Sequence, residues 1–390
     1  MNFQQLRFFL LPLLLMTYSA LKARQMWPTQ KIKATVMVIL LLILMLAGTF
    51  AYRLHPEIFS ESWFQIMAWT SSMLMSLWAT FVIFSLPVDI LKSIYFFIAK
   101  KIPNSSFASK INPQRRQFIT RTASLSILGL SGGLSGLGLM TIEKGPQVKT
   151  TLVPVKNLNP QLHGLRIAQI SDLHIGPTIR KNYVQDVVIK TNATNPDLIF
   201  ITGDLADAKV TMIAEELSAL ANLKSKYGVY FVTGNHEYYW EAEEIINKMN
   251  SFGFKTLLNE NSIVEINQAK LLIAGVPDPA GEQHSKNHTP DFKKSIANSI
   301  DTDFKILLAH RPNACFEAST LGFDLQFSGH THAGQFFPFN LFIGFAHKYY
   351  QGLNRYEQMW VYVNSGTGYW GPANRLTVPA EISLIQLTLV

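Results

Sequence analysis

The sequence predicts two parts of different class: an α/β layered domain over residues 150–390, preceded by an all-α membrane region over residues 1–149. Three observations carry this. Short apolar runs alternate with amphipathic stretches through the second part, the pattern of strands connected by helices. Each run closes on a polar cluster of His, Asp or Asn. The first 142 residues hold four longer apolar stretches, at 8–21, 34–52, 63–86 and 122–142, with few charges inside them.

Five runs, 165–170, 197–202, 229–233, 304–309 and 323–328, are rich in Val, Ile, Leu and Phe and read as buried parallel strands. The stretches 181–194, 211–226 and 240–251 between them read as helices. Ligands of open α/β sheets gather outside the carboxyl ends of the strands. The clusters there are Asp172-Leu173-His174, Gly203-Asp204-Leu205-Ala206-Asp207, Gly234-Asn235-His236-Glu237, His310, and Gly329-His330-Thr331-His332. Gly203, Gly234 and Gly329 precede them, where a residue without Cβ allows a tight turn.

Asp, His and Asn donors without Cys suit a pair of divalent transition ions more than a structural zinc knot. Taken singly, Asp-x-His is a weak signal and Gly-Asp a common turn. Two histidines at i and i+2 past a strand have little structural use, and five clusters in order are stronger still.

These blocks resemble the calcineurin-like metallophosphoesterase superfamily, whose pattern is D-x-H, G-D-x-x-D, G-N-H-[DE], a lone H and G-H-x-H. The resemblance covers about residues 150–390. The stretch Gly329 to Gln335 and the tail Pro379 to Ile385 are similar to its membrane-associated YkuE/YaeI-like branch, with Ala333 where Gly is usual. The resemblance implies a β-sandwich of two mixed sheets flanked by helices. It implies one metal ion on Asp172, His174 and His332, and a second on Asn235, His310 and His330, with Asp204 bridging. His236 would face the substrate as a catalytic group, oriented by Asp207. The ions would be two divalent metals, Mn, Fe, Zn or Co. The reaction implied is hydrolysis of a phosphate ester, mono- or diester or diphosphate, by attack of metal-bound hydroxide.

In the first part, the stretches 34–52 and 63–86 have the length a bilayer crossing needs. The stretch 8–21 is short and holds Pro12, leaving a short span, a re-entrant piece or a signal-like segment open. The stretch 122–142 is Gly-rich, and reads as a span or a linker.

Residues 1–150 carry 15 Lys+Arg against 4 Asp+Glu, leaving 19 against 22 of the chain's 34 and 26 for the remainder. The basic excess therefore belongs to the membrane-side part, and the slightly acidic remainder speaks against a nucleic-acid partner. Lys22, Arg24, Lys31 and Lys33 follow the first stretch, and Lys100, Lys101, Lys110, Arg115, Arg116 and Arg121 precede the fourth. Arg53, Glu57 and Glu61 lie between the second and third. By the positive-inside rule the two basic loops face the cytoplasm, which predicts a multi-pass cell-membrane protein with its catalytic domain outside. Arg115 to Ile119 also resembles a twin-arginine export motif; the alternative is that these arginines only set topology.

Cys315 is the one cysteine, so no intrachain disulfide forms, and it reads as a small buried apolar residue in a helix. Seven of the ten residues Phe336 to Phe345 are large and apolar. The plainer reading, a loop packed into the core, is favoured. The other is an apolar apron that meets the bilayer and favours a lipid phosphodiester or diphosphate substrate. Tyr238, Tyr239 and His284 are possible substrate contacts, while Arg311 and Arg375 fit either a phosphate or a structural carboxylate. Two rival functions remain: a transporter or sensor with an accessory outer domain, which the scarcity of ionisable residues in the spans disfavours, and a binding module without catalysis.

Overall fold

A computed structural model of the chain describes residues 3–54, 61–101, 113–297 and 302–390. They form two compact units, Met1–Leu137 with Gly371–Ala373, and Gly138–Trp370 with Asn374–Val390. Glu57 and Lys110, counted above among the loop charges, lie outside the described residues.

The N-terminal helices are α1 (Phe3–Met26), α2 (Lys31–Leu54), α3 (Glu61–Lys101) and α4 (Pro113–Glu143). Among the described residues, Pro28–Gly48, Glu61–Tyr95 and Gln117–Glu143 are long and apolar enough to cross a bilayer; α1 is not in that set. Lys22 and Arg24 belong to α1, and Lys31 and Lys33 to α2, rather than to a loop. Lys22 is buried, and its ammonium lies 2.5 Å from the Asp89 carboxylate, which also accepts a 2.8 Å hydrogen bond from Tyr18. The N-terminal helices thus hold a paired charge. A hydropathy reading misses it because the partners stand 67 residues apart and meet only when α1 packs on α3.

The second unit contains two mixed six-stranded sheets. Its strands are β1 (Gln147–Val155), β2 (Arg166–Ile170), β3 (Leu198–Thr202), β4 (Val229–Val232), β5 (Lys255–Thr256), β6 (Glu260–Ile266), β7 (Ala269–Gly275), β8 (Phe304–Leu308), β9 (Leu325–Ser328), β10 (Gly352–Tyr356), β11 (Met359–Val363) and β12 (Glu381–Leu389). The first sheet runs β1-β12-β2-β3-β4-β5, with β12 antiparallel to β2 and β2 to β5 parallel. The second runs β10-β11-β9-β8-β7-β6, parallel from β11 through β7 with antiparallel edges.

The two-residue period of the strands splits their apolar side chains between layers. Ile167, Leu198, Phe200 and Tyr230 of the first sheet share one core with Ile273, Ile306, Leu325 and Phe327 of the second, as in a sandwich. Leu272, Ala274, Leu307 and Val361 point the other way, into a second core with Phe292 and Cys315. Both faces of these strands are buried, which explains why they read as unbroken apolar runs rather than alternating ones.

Helix α5 (Lys181–Ala193) buries Val184, Val187 and Val188, at helical spacing. The expected helix over 211–226 is reduced to α6 (Ala214–Ala219) with flanking 3-10 turns. Ile213 leaves helical backbone at φ −127°, ψ 19°, and Leu223 is extended, so the segment cannot continue as one helix. Two helices, α7 (Asn235–Tyr239) and α8 (Ala242–Ser251), stand where one was expected, separated by Trp240 at φ −118°, ψ −102°. Three short helices follow: α9 (Phe292–Ser295), α10 (Cys315–Ala318) and α11 (Ile343–Ala346).

The segment Phe336 to Phe345 departs from the core-packed reading. Phe336 is buried, whereas Leu341, Phe342 and Phe345 are 62%, 51% and 90% exposed. A 3-10 turn at Phe339–Leu341 and the four-residue α11 supply too short an apolar face to bury the remainder.

Candidate metal centre and active site

The five clusters sit past the carboxyl ends of β2, β3, β4, β8 and β9, which gathers residues from both sheets at one rim. Their backbone there is unusual. Asp172, His174, Asp204, His330 and His332 have φ of 53°, 51°, 49°, 72° and 48°. This left-handed region costs a residue with a Cβ about 1–3 kcal/mol. Bonds between the loops hold it: Asp172 N donates to Gly203 O and His174 N to Asp204 O, each at 3.0 Å. His330 N donates to both Asp172 carboxylate oxygens, at 2.9 and 3.0 Å.

The glycines make the close approach possible. A Cβ on Gly329 would lie 2.0 Å from the Asp172 carboxylate, and one on Gly203, at φ 86°, 2.4 Å from Gly234 N. Neither position tolerates a side chain.

The side chains then converge. Ligand atoms of Asp172, His174 and His332 lie within 4.8 Å of one another, as do those of Asp204, His310 and His330, and those of His174, Asp207 and His236. His174 Nδ1 donates to Asp207 at 3.1 Å, which turns the bare Nε2 toward His332 Nε2, 3.0 Å away. His310 Nδ1 donates to Thr202 O at 2.8 Å, leaving its Nε2 3.1 Å from Asp204 Oδ2 and 3.2 Å from His330 Nδ1. His236 N donates to the other Asp204 oxygen at 2.8 Å.

These contacts fit bound cations. His174 and His310 each donate from Nδ1 to oxygen, which orients Nε2 as a metal donor, and these Nε2 atoms crowd against His332 Nε2, His330 Nδ1 and Asp204. The buried Asn235 Oδ1 has no hydrogen-bond partner, a costly state for a polar atom unless a cation meets it.

The electrostatics are those of closely packed opposite charges. Burial lowers His310, but the Asp204 carboxylate raises it further, to about 10. Burial and the neighbouring His310 push His330 down to about 2, so it is a neutral donor. Burial and Arg375 hold His332 well below the ordinary imidazole range. Asp207 would be raised by burial, yet His174 and His236 hold it far below the usual carboxylate range. It lies 2.5 Å from His236 Nδ1, and although burial opposes the charge, Asp207 and then Asp204 lift His236 to about 9.

Sequence reasoning gave Glu237 no task, yet it holds the centre together. Its buried carboxylate accepts from Gly234 N at 2.6 Å, Asp204 N at 2.9 Å, Leu205 N at 2.7 Å and Ala206 N at 3.3 Å. Burial and Asp204 push it up to about 7 against those amides. Its place in Gly-Asn-His-Glu was the available signal.

The two arginines face protein rather than open space. Arg311 grips Asp278 with two bonds, 2.6 and 2.9 Å. Arg375 is fully buried and donates to the main-chain oxygens of Ser365, Gly366 and Gly368 and to His332 Nδ1 at 2.9 Å. Tyr238 bonds Thr233 at 2.9 Å and meets the rings of His284 and His288 at tilted and edge-on angles, and His284 pairs with Glu243 at 2.7 Å. Tyr239 lies beside His236. So does Trp370, which no sequence signal marked because it sits in a loop without motif.

The calcineurin-like phosphoesterase family matches residues 165–334, the span holding all five clusters. The chain is 35% identical over 262 residues to a transmembrane protein with metallophosphoesterase domain from Danio rerio, covering 65% of this chain and 60% of that protein. It therefore spans less than two thirds of that relative. A Helicobacter pylori metallophosphoesterase is 29% identical over 383 residues, 97% of both chains. The Bacillus subtilis metallophosphoesterase YkuE is 26% identical over 283 residues, 70% of this chain and 97% of that one. Two mixed sheets whose strand ends bring an Asp, His and Asn donor set together, and relatives of this kind along the same span, lead to one assignment: the chain belongs to the calcineurin-like phosphoesterase family.

Proposed function

We propose that this protein is a membrane-attached, dinuclear metal-dependent phosphoesterase, with residues 150–390 as the hydrolase domain and residues 1–149 as its membrane region. The observation that carries the reading is the convergence of Asp172, His174, Asp204, His310, His330 and His332, with imidazole nitrogens as close as 3.0 and 3.2 Å to one another, beside the orphaned Asn235 oxygen. One cation would rest on Asp172, His174 and His332, another on Asn235, His310 and His330, with Asp204 shared; Mn, Fe, Zn and Co all suit these donors. When bound, the cations would neutralise charge on the phosphoryl oxygens and lower the pKa of a water.

The protein's own groups do the remainder. Asp207 fixes the His236 ring through Nδ1 and holds a proton on the imidazole. His236 Nε2 is then the atom that delivers a proton to the departing ester oxygen, a contribution of about 10²- to 10⁴-fold. Glu237 and Arg375 touch no substrate; they hold the loops and the His332 ring in place.

A lipid phosphodiester or diphosphate is the substrate class we favour. Leu341, Phe342 and Phe345 are exposed in one short segment of a chain that also carries three bilayer-length apolar helices. The basic residues flanking those helices support a catalytic domain on the extracytoplasmic side of the cell membrane, and Arg115-Arg116 would serve either export or topology. The experiment is hydrolysis of bis(p-nitrophenyl) phosphate and of phospholipid vesicles by the full chain, with and without added Mn²⁺. Phe342→Ser with Phe345→Ser should reduce turnover on vesicles and spare the soluble diester. No metal-dependent turnover on either would sink the reading.

A further inference from the structure

Two exposed rings, Tyr239 and Trp370, lie beside His236. The Tyr239 ring centroid is 5.1 Å from that of His236 at 55°, and the Trp370 centroid is 5.7 Å away at 65°. They are 53% and 50% exposed, while the His236 side chain beside them is only 15% exposed. The spacing of Tyr239 is set by α7, since residues three apart share one helix face. Trp370 is fixed through its main chain: Gln335 donates from Nε2 to Trp370 O at 3.0 Å and accepts from Trp370 N at 3.1 Å. Gln335, at φ 60°, follows the turn that carries His330 and His332, so Trp370 is referenced to the same loop as the candidate ligands.

We propose that Tyr239 and Trp370 are specificity-determining residues that bracket the leaving group, and that the group they select carries a flat unsaturated ring on its ester oxygen. The proposal rests on the reading above that His236 serves the departing oxygen, and it names the departing substituent alone; the lipid portion favoured above would be the group that stays on phosphorus. An alkyl chain laid between the two rings gains burial alone. A ring gains burial and the offset or edge contacts that aromatic faces prefer, at fixed places beside the reacting atoms. Two aromatic side chains held from helix and loop are suited to the second case, since little freedom is lost when a ring docks.

The test uses the full chain loaded with Mn²⁺ and two non-hydrolysable probes, benzylphosphonate and cyclohexylmethylphosphonate, in which a methylene stands for the ester oxygen. Binding is measured by calorimetry, so the outcome does not depend on turnover. The wild type should prefer the benzyl compound by about tenfold. Tyr239→Leu and Trp370→Leu, which keep apolar bulk, should each abolish most of that preference with metal content unchanged, and Trp370→Phe should restore it. Equal binding of the two probes by the wild type, or a preference that survives both Leu variants, would overturn the proposal. Failure of the His236 reading is separable: it would appear as His236→Ala turning over bis(p-nitrophenyl) phosphate at the wild-type rate, while the probe comparison still decides the subsite.

Discussion

The Asp207 carboxylate lies 2.5 Å from His236 Nδ1, close enough to fix both the tilt of that ring and where its proton resides. Its other oxygen meets His174 Nδ1 at 3.1 Å. One carboxylate therefore ties the proposed proton donor to a candidate metal ligand.

Asp207→Asn should lower kcat by about 10²-fold, the lower end of what a positioned general acid supplies. The pH profile should move as well. An acid is active while protonated, and Asp207 and Asp204 hold His236 near 9, so the wild-type rate should fall only as pH rises through that value. Without the Asp207 charge the alkaline limb should shift toward the ordinary imidazole range, near about 6.5. A limb that stays in place would separate Asp207 from the titration.

Asp204→Ala and His330→Ala should lose turnover and bound metal together, because each removes a donor from the same cluster. His236→Ala should keep its metal and lose most of kcat. Elemental analysis beside kinetics distinguishes the two patterns. A fully metal-loaded, inactive Asp204→Ala would contradict the shared-ligand role.

Glu237→Gln replaces a double acceptor by a group with one acceptor oxygen, leaving some of four buried amides unpaired. The expected cost is about 1–3 kcal/mol, seen as a lower melting temperature, with weaker metal retention as the loops separate. An unchanged melting temperature would show that the amides find other partners.

Cys315 is fully buried, and burial lifts its thiol to about 11. The native protein should resist aromatic disulfide reagents at pH 8 and react fully once denatured. Because the folded form favours the neutral thiol, its contribution to stability is intact below the ordinary thiol range and declines as pH rises toward about 11. Rapid modification of the native protein would place Cys315 at a mobile surface.

Much of this architecture is legible in the chain itself. Asp172, His174, Asp204, His310, His330 and His332 stand out as a set, because five polar clusters in order after apolar runs carry a signal that none of them carries alone. The two-sheet arrangement comes through the family resemblance, since buried strands such as Phe304–Leu308 look alike in any α/β sheet. What escapes is long-range or carried by the main chain. Glu237 works through amide hydrogens some 30 residues upstream, and Arg375 through carbonyl oxygens, and neither pattern leaves a periodic trace. Lys22 and Asp89 are invisible as a pair until two helices pack. The 211–226 segment has a helical composition but is cut by the backbone at Ile213 and Leu223.

The left-handed turns at Asp172, His174, Asp204, His330 and His332 set a conflict between endurance and use. Glycine at His330, whose side chain holds no loop amide, would relieve torsion while removing a donor, whereas at Asp172 or Asp204 it would also orphan the His330 or His236 amide. Laboratory evolution for heat resistance alone should accumulate the first kind of replacement and yield tougher, inert descendants. Only a screen that also demands turnover would keep the chain bent where it is.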